Sequence, residues 1–317
     1  MRMTIKKIAV ELNISPAAVS LALRDDPRIP DCTKSKVKKL ADEWAYVPNN
    51  FGRGLQAGKS CLAGYLANSF TGSFYDIILQ GIGETAAVAN YGLLAAITSY
   101  DPDIIASRLR IFLEKNVDGV IIADTYSNMS SAMKMIEFRG IPTIFCSTQD
   151  SGPHLHVATD NFAGGQLAAR HLIELGHKYF ACCSVEPDRL RGNLDAIKKA
   201  GLPSPVIFKK SEELTPALKK KEVTGIIAYS DMQAIKLKHL ANCAGLKIPE
   251  DISIVGFDDL WFAQLEEFNF TTIIQPKDEI GRVAMSLLLK LIAAGDYGNI
   301  LLKPELIVRK STAAPKL

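Results

Sequence analysis

No stretch of this chain is both long and apolar enough to cross a bilayer. Its most apolar runs, "DGVIIAD" and "MSLLLKLIAAG", are too short or too interrupted for the roughly 20 apolar residues a spanning helix needs. The amino terminus, "MRMTIKKIAVELN", has no apolar core of signal-peptide type and no small-residue cleavage site, so a cytoplasmic protein with no membrane partner is expected. Cysteine is sparse and badly spaced for chemistry. The six residues Cys32, Cys61, Cys146, Cys182, Cys183 and Cys243 form no CxxC pair and mostly sit in apolar runs, which points to buried free thiols. The five histidines make no HExxH or HxH pattern, so no metal site is expected. Catalytic signatures are missing as well. No GxGxxG follows the first strand candidate, no P-loop occurs, and no Ser-His-Asp or Cys-His set stands out. "QGIGETA" is only a glycine pair inside a helical stretch. Neither an enzyme nor a cofactor is expected.

At 317 residues, with 48% hydrophobic and 22% charged residues, the chain has room for two or three globular domains. The net charge of +3 is unevenly spread. Residues 1–60 hold eleven Lys and Arg against six Asp and Glu, while the rest hold 26 against 28. A small basic head on a nearly neutral body suggests a polyanion partner for the head alone; a solvated basic face is the plainer alternative.

Within the head, Thr4 caps "TIKKIAVEL", a helix with Ile5, Ile8, Ala9 and Leu12 on one face. Asn13-Ile14 makes a tight turn. Ser15 can cap a second helix that runs to Arg24, with Pro16 at its first position. A 3.6-residue period turns Ile14, Val19, Ala22 and Leu23 toward a core. It leaves Pro16, Ala17, Ser20, Leu21 and Arg24 on the outer face. So short a helix cannot stand alone in water. A third helix, "TKSKVKKLADEWAYV", is expected to begin at Thr33. Its Val37, Leu40, Ala41 and Trp44 can close the core, and Lys34, Lys36, Lys38 and Lys39 project outward for phosphate contacts. Two short helices joined this way form a helix-turn-helix, whose second helix lies in a DNA major groove. A three-helix module that binds a protein is the alternative.

After residue 60, short apolar runs alternate with amphipathic stretches. Strand candidates are "CLAGYLAN", "GLLAAIT", "DGVIIAD", "PTIFCS", "YFACCSV", "TGIIAYS" and "ISIVGF". Helical stretches such as "SFYDIILQGIGETAAVA", "AGGQLAARHLIELG" and "DMQAIKLKHLANCAG" separate them. This rhythm predicts parallel sheets covered on both faces, with ligands outside the carboxyl ends of the strands.

The head, "TIKKIAVELNISPAAVSLAL…TKSKVKKLADEWAYVPNNFGRGL", resembles that of the LacI/GalR family of bacterial transcription regulators. The body matches in pieces such as "VATDNFAGGQLAARHLIELGH", "RLRGNLDAI", "GLKIPEDISIVGFDD" and "FTTIIQPKDEIGRVAMSLL". The resemblance implies a small all-α helix-turn-helix head (1–48), a hinge helix or linker (49–60) and a two-lobed α/β body like periplasmic binding proteins (61–317). One lobe would hold 61–159 and 276–305, the other 160–275 and 306–317. The chain would cross between them near Thr159-Asp160, Ile274-Gln275 and Leu306-Val308.

The resemblance further implies contacts to double-stranded, palindromic operator DNA from Thr4, Ser15, Pro16, Ala17, Ser20, Leu21, Arg24, Arg28, Thr33 and Asn49. It adds Arg53 and a minor-groove leucine, Leu55, in the hinge. Ala18, Leu21 and Arg24 stand where the family usually has Thr, Arg and Asn. Pro16, Ala17 and Leu21 lack strong hydrogen-bonding side chains, so the head is expected to read T-rich steps by apolar contact with thymine methyls. Gly52 and Gly54 weaken the hinge helix.

In the body, the resemblance assigns a small-molecule effector, a sugar or related compound, to Phe74, Tyr75, Arg189, Ser230, Asp231 and Asp258. Asn193 replaces a usual aromatic, and the segment from Glu186 to Lys221 is short. "STAAPKL" lacks a heptad tail, so a homodimer is expected. The function implied is sequence-specific transcription regulation, as a repressor modulated by that effector. The alternative is a cytoplasmic solute-binding protein whose head binds DNA non-specifically or not at all.

Overall fold

The computed structural model describes residues 3–46, 59–72, 74–295 and 297–316. The chain divides into two units, Met1–Ser60 and Cys61–Leu317.

The first unit holds helices α1 (Ile5–Glu11), α2 (Pro16–Ala22) and α3 (Asp31–Glu43). Thr4 Oγ1 accepts from the Lys7 N–H at 3.4 Å, and Ser15 Oγ accepts from the Ala18 N–H at 3.1 Å, so both short helices start on hydroxyl caps. Asn13 takes the left-handed backbone (φ 51°) that ends α1, and the Ile14 N–H returns to the Ala9 carbonyl at 3.0 Å. Ile8, Ala9, Val19, Ala22, Val37 and Ala41 form the core, with Leu12, Ile14, Leu23, Leu40 and Trp44 packed around it.

Two expectations change here. α3 begins at Asp31 rather than Thr33, because Pro30 sets an extended residue ahead of it and the Asp31 carboxylate suits a helix amino terminus. Lys34 does not project outward: its side chain is 14% exposed and pairs with Asp31 at 3.1 Å. The hinge positions Pro48, Asn49, Gly52, Arg53, Gly54 and Leu55 lie outside the described residues.

The second unit is two α/β lobes. The first contains β1 (Leu62–Ala67), α4 (Tyr75–Val88), β2 (Gly92–Ile97), α5 (Pro102–Glu114), β3 (Gly119–Ala123), α6 (Tyr126–Phe138), β4 (Thr143–Cys146) and β5 (Leu155–Thr159). The chain then builds the second lobe. It runs through α7 (Asn161–Glu174), β6 (Phe180–Cys183), α8 (Pro187–Lys199), β7 (Val206–Phe208), α9 (Thr215–Lys219), β8 (Gly225–Ile227), α10 (Asp231–Cys243), β9 (Ser253–Asp258) and β10 (Thr271–Ile274). It returns to the first lobe for α11 (Lys277–Ile292) and β11 (Ile300–Leu302), and ends in the second with β12 (Glu305–Ile307).

The strand orders are β11-β5-β4-β3-β1-β2 and β12-β10-β9-β8-β6-β7. All pairs are parallel except β10–β12, an antiparallel edge the sequence does not announce. The last passage between lobes falls at 303–304, ahead of the expected Leu306-Val308, and Glu305 belongs to the second sheet. Two adjoining three-residue strands carry no period that would separate them.

Each sheet is covered on both faces, and the run Gly119–Ala123 is wholly buried, as a central parallel strand should be. α4 and α11 cross at Gly81 and Gly281. A Cβ on either glycine would strike backbone of the opposite helix. The cysteines divide evenly: Cys146, Cys182 and Cys183 are buried, whereas Cys32, Cys61 and Cys243 are exposed rather than buried as expected. Among the described residues no helix is long and apolar enough to cross a membrane.

Candidate functional site

On α2, one face is committed to the head core. Pro16, Ala17 and Arg24 are exposed on the other, and Ser20 and Leu21 are half-buried beside them. Thr4 and Ser15 are exposed but act first as caps. Arg28 forms a bidentate pair with Asp26, Nε to Oδ1 and Nη2 to Oδ2 both at 2.8 Å, which holds the Asp26 carboxyl well below its usual range. The Arg28 side chain is 73% exposed, and pairs of that kind are weak enough to open for a competing phosphate or base. Thr33 is half-buried next to Cys32 in the first turn of α3.

In the body, the candidate effector residues gather at the carboxyl ends of the strands. Arg189 sits in the first turn of α8. The side chain of Glu186 caps that helix by accepting the Arg189 N–H at 2.7 Å. α8 approaches α7 closely at Gly165 and Gly192. A Cβ at Gly165 would meet the Arg189 carbonyl, and one at Gly192 would meet that of Phe162. The Arg189–Gly192 spacing thus fixes where the guanidinium emerges. Its Nε donates to Asn161 Oδ1 at 2.8 Å and its Nη1 to the Tyr229 carbonyl at 2.7 Å. Its Cζ lies 3.6 Å over the Phe257 ring, and Asp258 Oδ1 is 3.9 Å from Nη1. An arginine oriented by stacking and hydrogen bonds presents a fixed donor geometry.

Asp258 ends β9 at φ 106°, and Asp259 follows at φ 49°. Such backbone costs on the order of 1–3 kcal/mol per residue and clusters at ligand clamps. The side chains around it tie the lobes together. Gln275 Nε2 donates to Asp258 Oδ1 at 2.6 Å, and Thr159 Oγ1 donates to Gln275 Oε1 at 2.7 Å. Lys277, at the start of α11 in the first lobe, donates through Nζ to the carbonyls of Asp258 and Asp259 in the second. Burial pushes the Asp258 carboxyl up, against the pull of Arg189 and Gln275. Burial likewise pushes the Lys277 ammonium down, against Asp258 and Asp259.

Phe74 and Tyr75 open α4 as an edge-to-face pair with centroids 5.1 Å apart. The Tyr75 carbonyl accepts from the Tyr65 hydroxyl at 3.1 Å. Burial raises the Tyr75 phenol, which lies within electrostatic reach of Tyr100 and Asp124 on its own lobe and of Tyr229 on the other. Phe74 and Tyr75 therefore stand on the first-lobe wall, and Tyr229 and Arg189 on the second.

Ser230 and Asp231 depart from the expectation that they meet the ligand. Ser230 caps α10 through the Gln233 N–H at 3.2 Å. Asp231 is 0% exposed, and both its oxygens are engaged: Oδ1 accepts from Thr272 Oγ1 at 2.6 Å and Oδ2 from the Leu260 N–H at 2.8 Å. It braces β10 and the segment after β9, and its carboxyl is pushed up to about 7 by burial and then by Asp258. Asn193 is 2% exposed. It lines a cavity of about 10 Å³ with Glu186, Arg189 and Tyr229, room for about one water where an aromatic ring is usual.

Reading the sequence missed Glu186, Asn161, Phe257, Gln275 and Lys277. Gln275 and Asn161 stand inside matched segments, but their contacts form only when separate lobes or helices meet, which no local period reports. Among the described residues no cluster of metal-ligating side chains occurs.

A helix-turn-helix unit joined in one chain to a two-lobed, three-crossing body with a polar cleft defines a class: regulators built on a periplasmic-binding-protein-like frame. Residues 169–312 match the family model of the periplasmic binding protein-like domain. The chain is 30% identical over 339 aligned positions to the HTH-type transcriptional regulator DegA of Bacillus subtilis (strain 168), with 99% of each chain covered. A LacI family transcriptional regulator from Enterococcus faecium, solved with bound ribose, is 27% identical with a TM-score of 0.71. That match covers 80% of this chain and all of that one. The fold also matches the lac repressor dimer bound to operator and the anti-inducer ONPF, with a TM-score of 0.86 at 21% identity over 99% of this chain and 100% of that one. The chain belongs to the LacI/GalR family of transcription regulators.

Proposed function

We propose that the chain is a homodimeric repressor. Residues 1–48 read a palindromic operator, 49–60 serve as hinge, and 61–317 dimerise and bind a small polyhydroxylated effector. Two similar proteins support this reading: one was solved as a dimer on operator, the other with ribose bound. The observation that carries it is the outer face of α2, where Pro16, Ala17, Ser20, Leu21 and Arg24 are left over once the core is made. Ala17 and Leu21 pack on thymine methyls, while Ser20, Arg24 and a released Arg28 add polar contacts. Thr4, Ser15 and Thr33 reach phosphates, and Asn49, Arg53 and Leu55 act in the minor groove. In the cleft, Arg189 and Asp258 pin hydroxyls while Phe74, Tyr75 and Tyr229 cover the apolar side of the ligand. Ligand binding shifts operator affinity only by its preference for one lobe arrangement. No catalytic residue or cofactor enters this reading.

Selection of binding sites from random duplex DNA with the purified full chain tests it. The expected result is a two-fold, T-rich consensus bound as a dimer. Binding with no consensus would favour the second reading, a solute-binding protein with a non-specific DNA-binding head.

A further inference from the structure

On the first-lobe wall of the cleft, two carboxylates each leave one oxygen without a hydrogen-bond partner among the described residues. β1 and β3 are parallel neighbours with Ala67 beside Ala123, so the next residues, Asn68 and Asp124, come together at the carboxyl end of the sheet. Asn68 is satisfied: its Oδ1 accepts from Thr98 Oγ1 at 2.9 Å. Asp124 is more than nine-tenths buried, with 7% exposure. Its Oδ1 accepts from the Thr125 N–H at 2.7 Å and from Asn128 Nδ2 at 3.0 Å, whereas its buried Oδ2 accepts nothing. In the first turn of α4, Asp76 repeats the pattern with a buried, partnerless Oδ1.

For Asp124 the cleft's own cations do not resolve this, whereas Lys277 lies within electrostatic reach of Asp76. Arg189 donates to Asn161 and Tyr229, and Lys277 donates to the carbonyls of Asp258 and Asp259. Ionised carboxylates only accept, so whatever completes them must bring N–H or O–H donors. A buried, uncompensated negative charge favours a donor that is itself positive. Tyr75, within electrostatic reach of Asp124, adds the same preference, since an aromatic face attracts an ammonium more than a hydroxyl.

We propose that the effector carries a protonated amine held against Asp124, with its hydroxyls turned to Arg189 and Asp258. The chemical class is an amino sugar or a comparable polyol amine. The inference rests on the effector-cleft reading above and narrows it.

Calorimetric titration of the full chain with two matched pairs, glucosamine against glucose and galactosamine against galactose, tests it at pH 7. In at least one pair the amine should bind about tenfold more tightly than its neutral partner. Asp124→Asn should bring that ratio close to one. Should that variant fail to fold, Asp124→Ser provides the same reading, and the amine-to-neutral ratio on the native chain decides in either case. Neutral sugars binding as tightly as their amines would overturn this inference and leave the polyol cleft standing. If no member of either pair binds, the cleft reading fails and this inference with it.

Discussion

Asp231 has no counter-charge among its hydrogen-bond partners, a hydroxyl and a backbone N–H. Its carboxyl is pushed from 3.8 up to about 7, first by burial and then by Asp258. Between those values the folded chain holds a proton that the unfolded chain does not. Stability from this group is therefore fully present below about pH 4 and is lost as pH rises through about 7, a swing on the order of 4 kcal/mol. His156, His171 and His177 act oppositely. Burial lowers them, so their contribution is present above pH 6.5 and is lost as pH falls through their lowered values. The two trends overlap, so the prediction concerns a difference. Asp231→Asn keeps the shape of the protonated acid, with its amide donating to Thr272 Oγ1 and its oxygen accepting from Leu260. Urea melts at pH 5 and pH 8 should show the variant gaining several kcal/mol on the native chain toward high pH. Parallel curves would mean that Asp231 is ionised throughout.

Among elements, α2 is the one whose chemistry departs most from the family pattern while its geometry holds. Its seven residues are fixed by the Ser15 cap, by Pro16 at the first position and by Val19 and Ala22 in the core, so outer-face changes alter readout rather than folding. Leu21→Arg should introduce a bidentate guanine contact, worth about 1–3 kcal/mol of discrimination, and move the half-site preference from T toward G. Competition binding with T- and G-substituted half-sites measures it, and an unchanged ranking would place Leu21 off the base edges. Elements like α2 were legible because caps and periodicity are local. So were β3, a wholly apolar run, and α10, which starts on the Ser230 cap. β7, β11 and β12 were not, because three residues define neither an alternation nor a helical face. Of the cleft, Arg189 and Asp258 could be read through their motifs. Lys277 could not: a lysine two residues after Gln275 reads as surface until the second lobe brings two carbonyls to its ammonium. Asp231 was misread for the same reason, since its neighbours Thr272 and Leu260 are remote in sequence.

Over the whole molecule, charge is segregated by unit, and that predicts how binding responds to salt. The first 60 residues carry all of the positive excess, eleven cations against six carboxylates. Several of those cations are already paired within the head: Lys38 with Asp25 at 2.6 Å, Lys34 with Asp31 and Arg28 with Asp26. Lys36 is exposed on α3, and Lys39 reaches Glu43 only at 3.9 Å, so these two are the α3 lysines most ready for phosphates. Each phosphate contact contributes about −0.9 to the slope of log K against log salt. Removing both lysines with Lys36→Ala and Lys39→Ala should weaken binding to every duplex alike and flatten that slope. If two heads bind together, four contacts disappear and the slope falls by about 4; if one head binds, it falls by about 2. Titrations of native chain and double variant across a range of salt, on one selected site and one scrambled duplex, separate these cases. A fall near 4 on the selected site with unchanged sequence ranking fits a two-fold regulator whose register is set by phosphates and whose specificity lies in α2. A change in ranking would mean that Lys36 or Lys39 reads bases, and the division of labour between α2 and α3 would have to be redrawn.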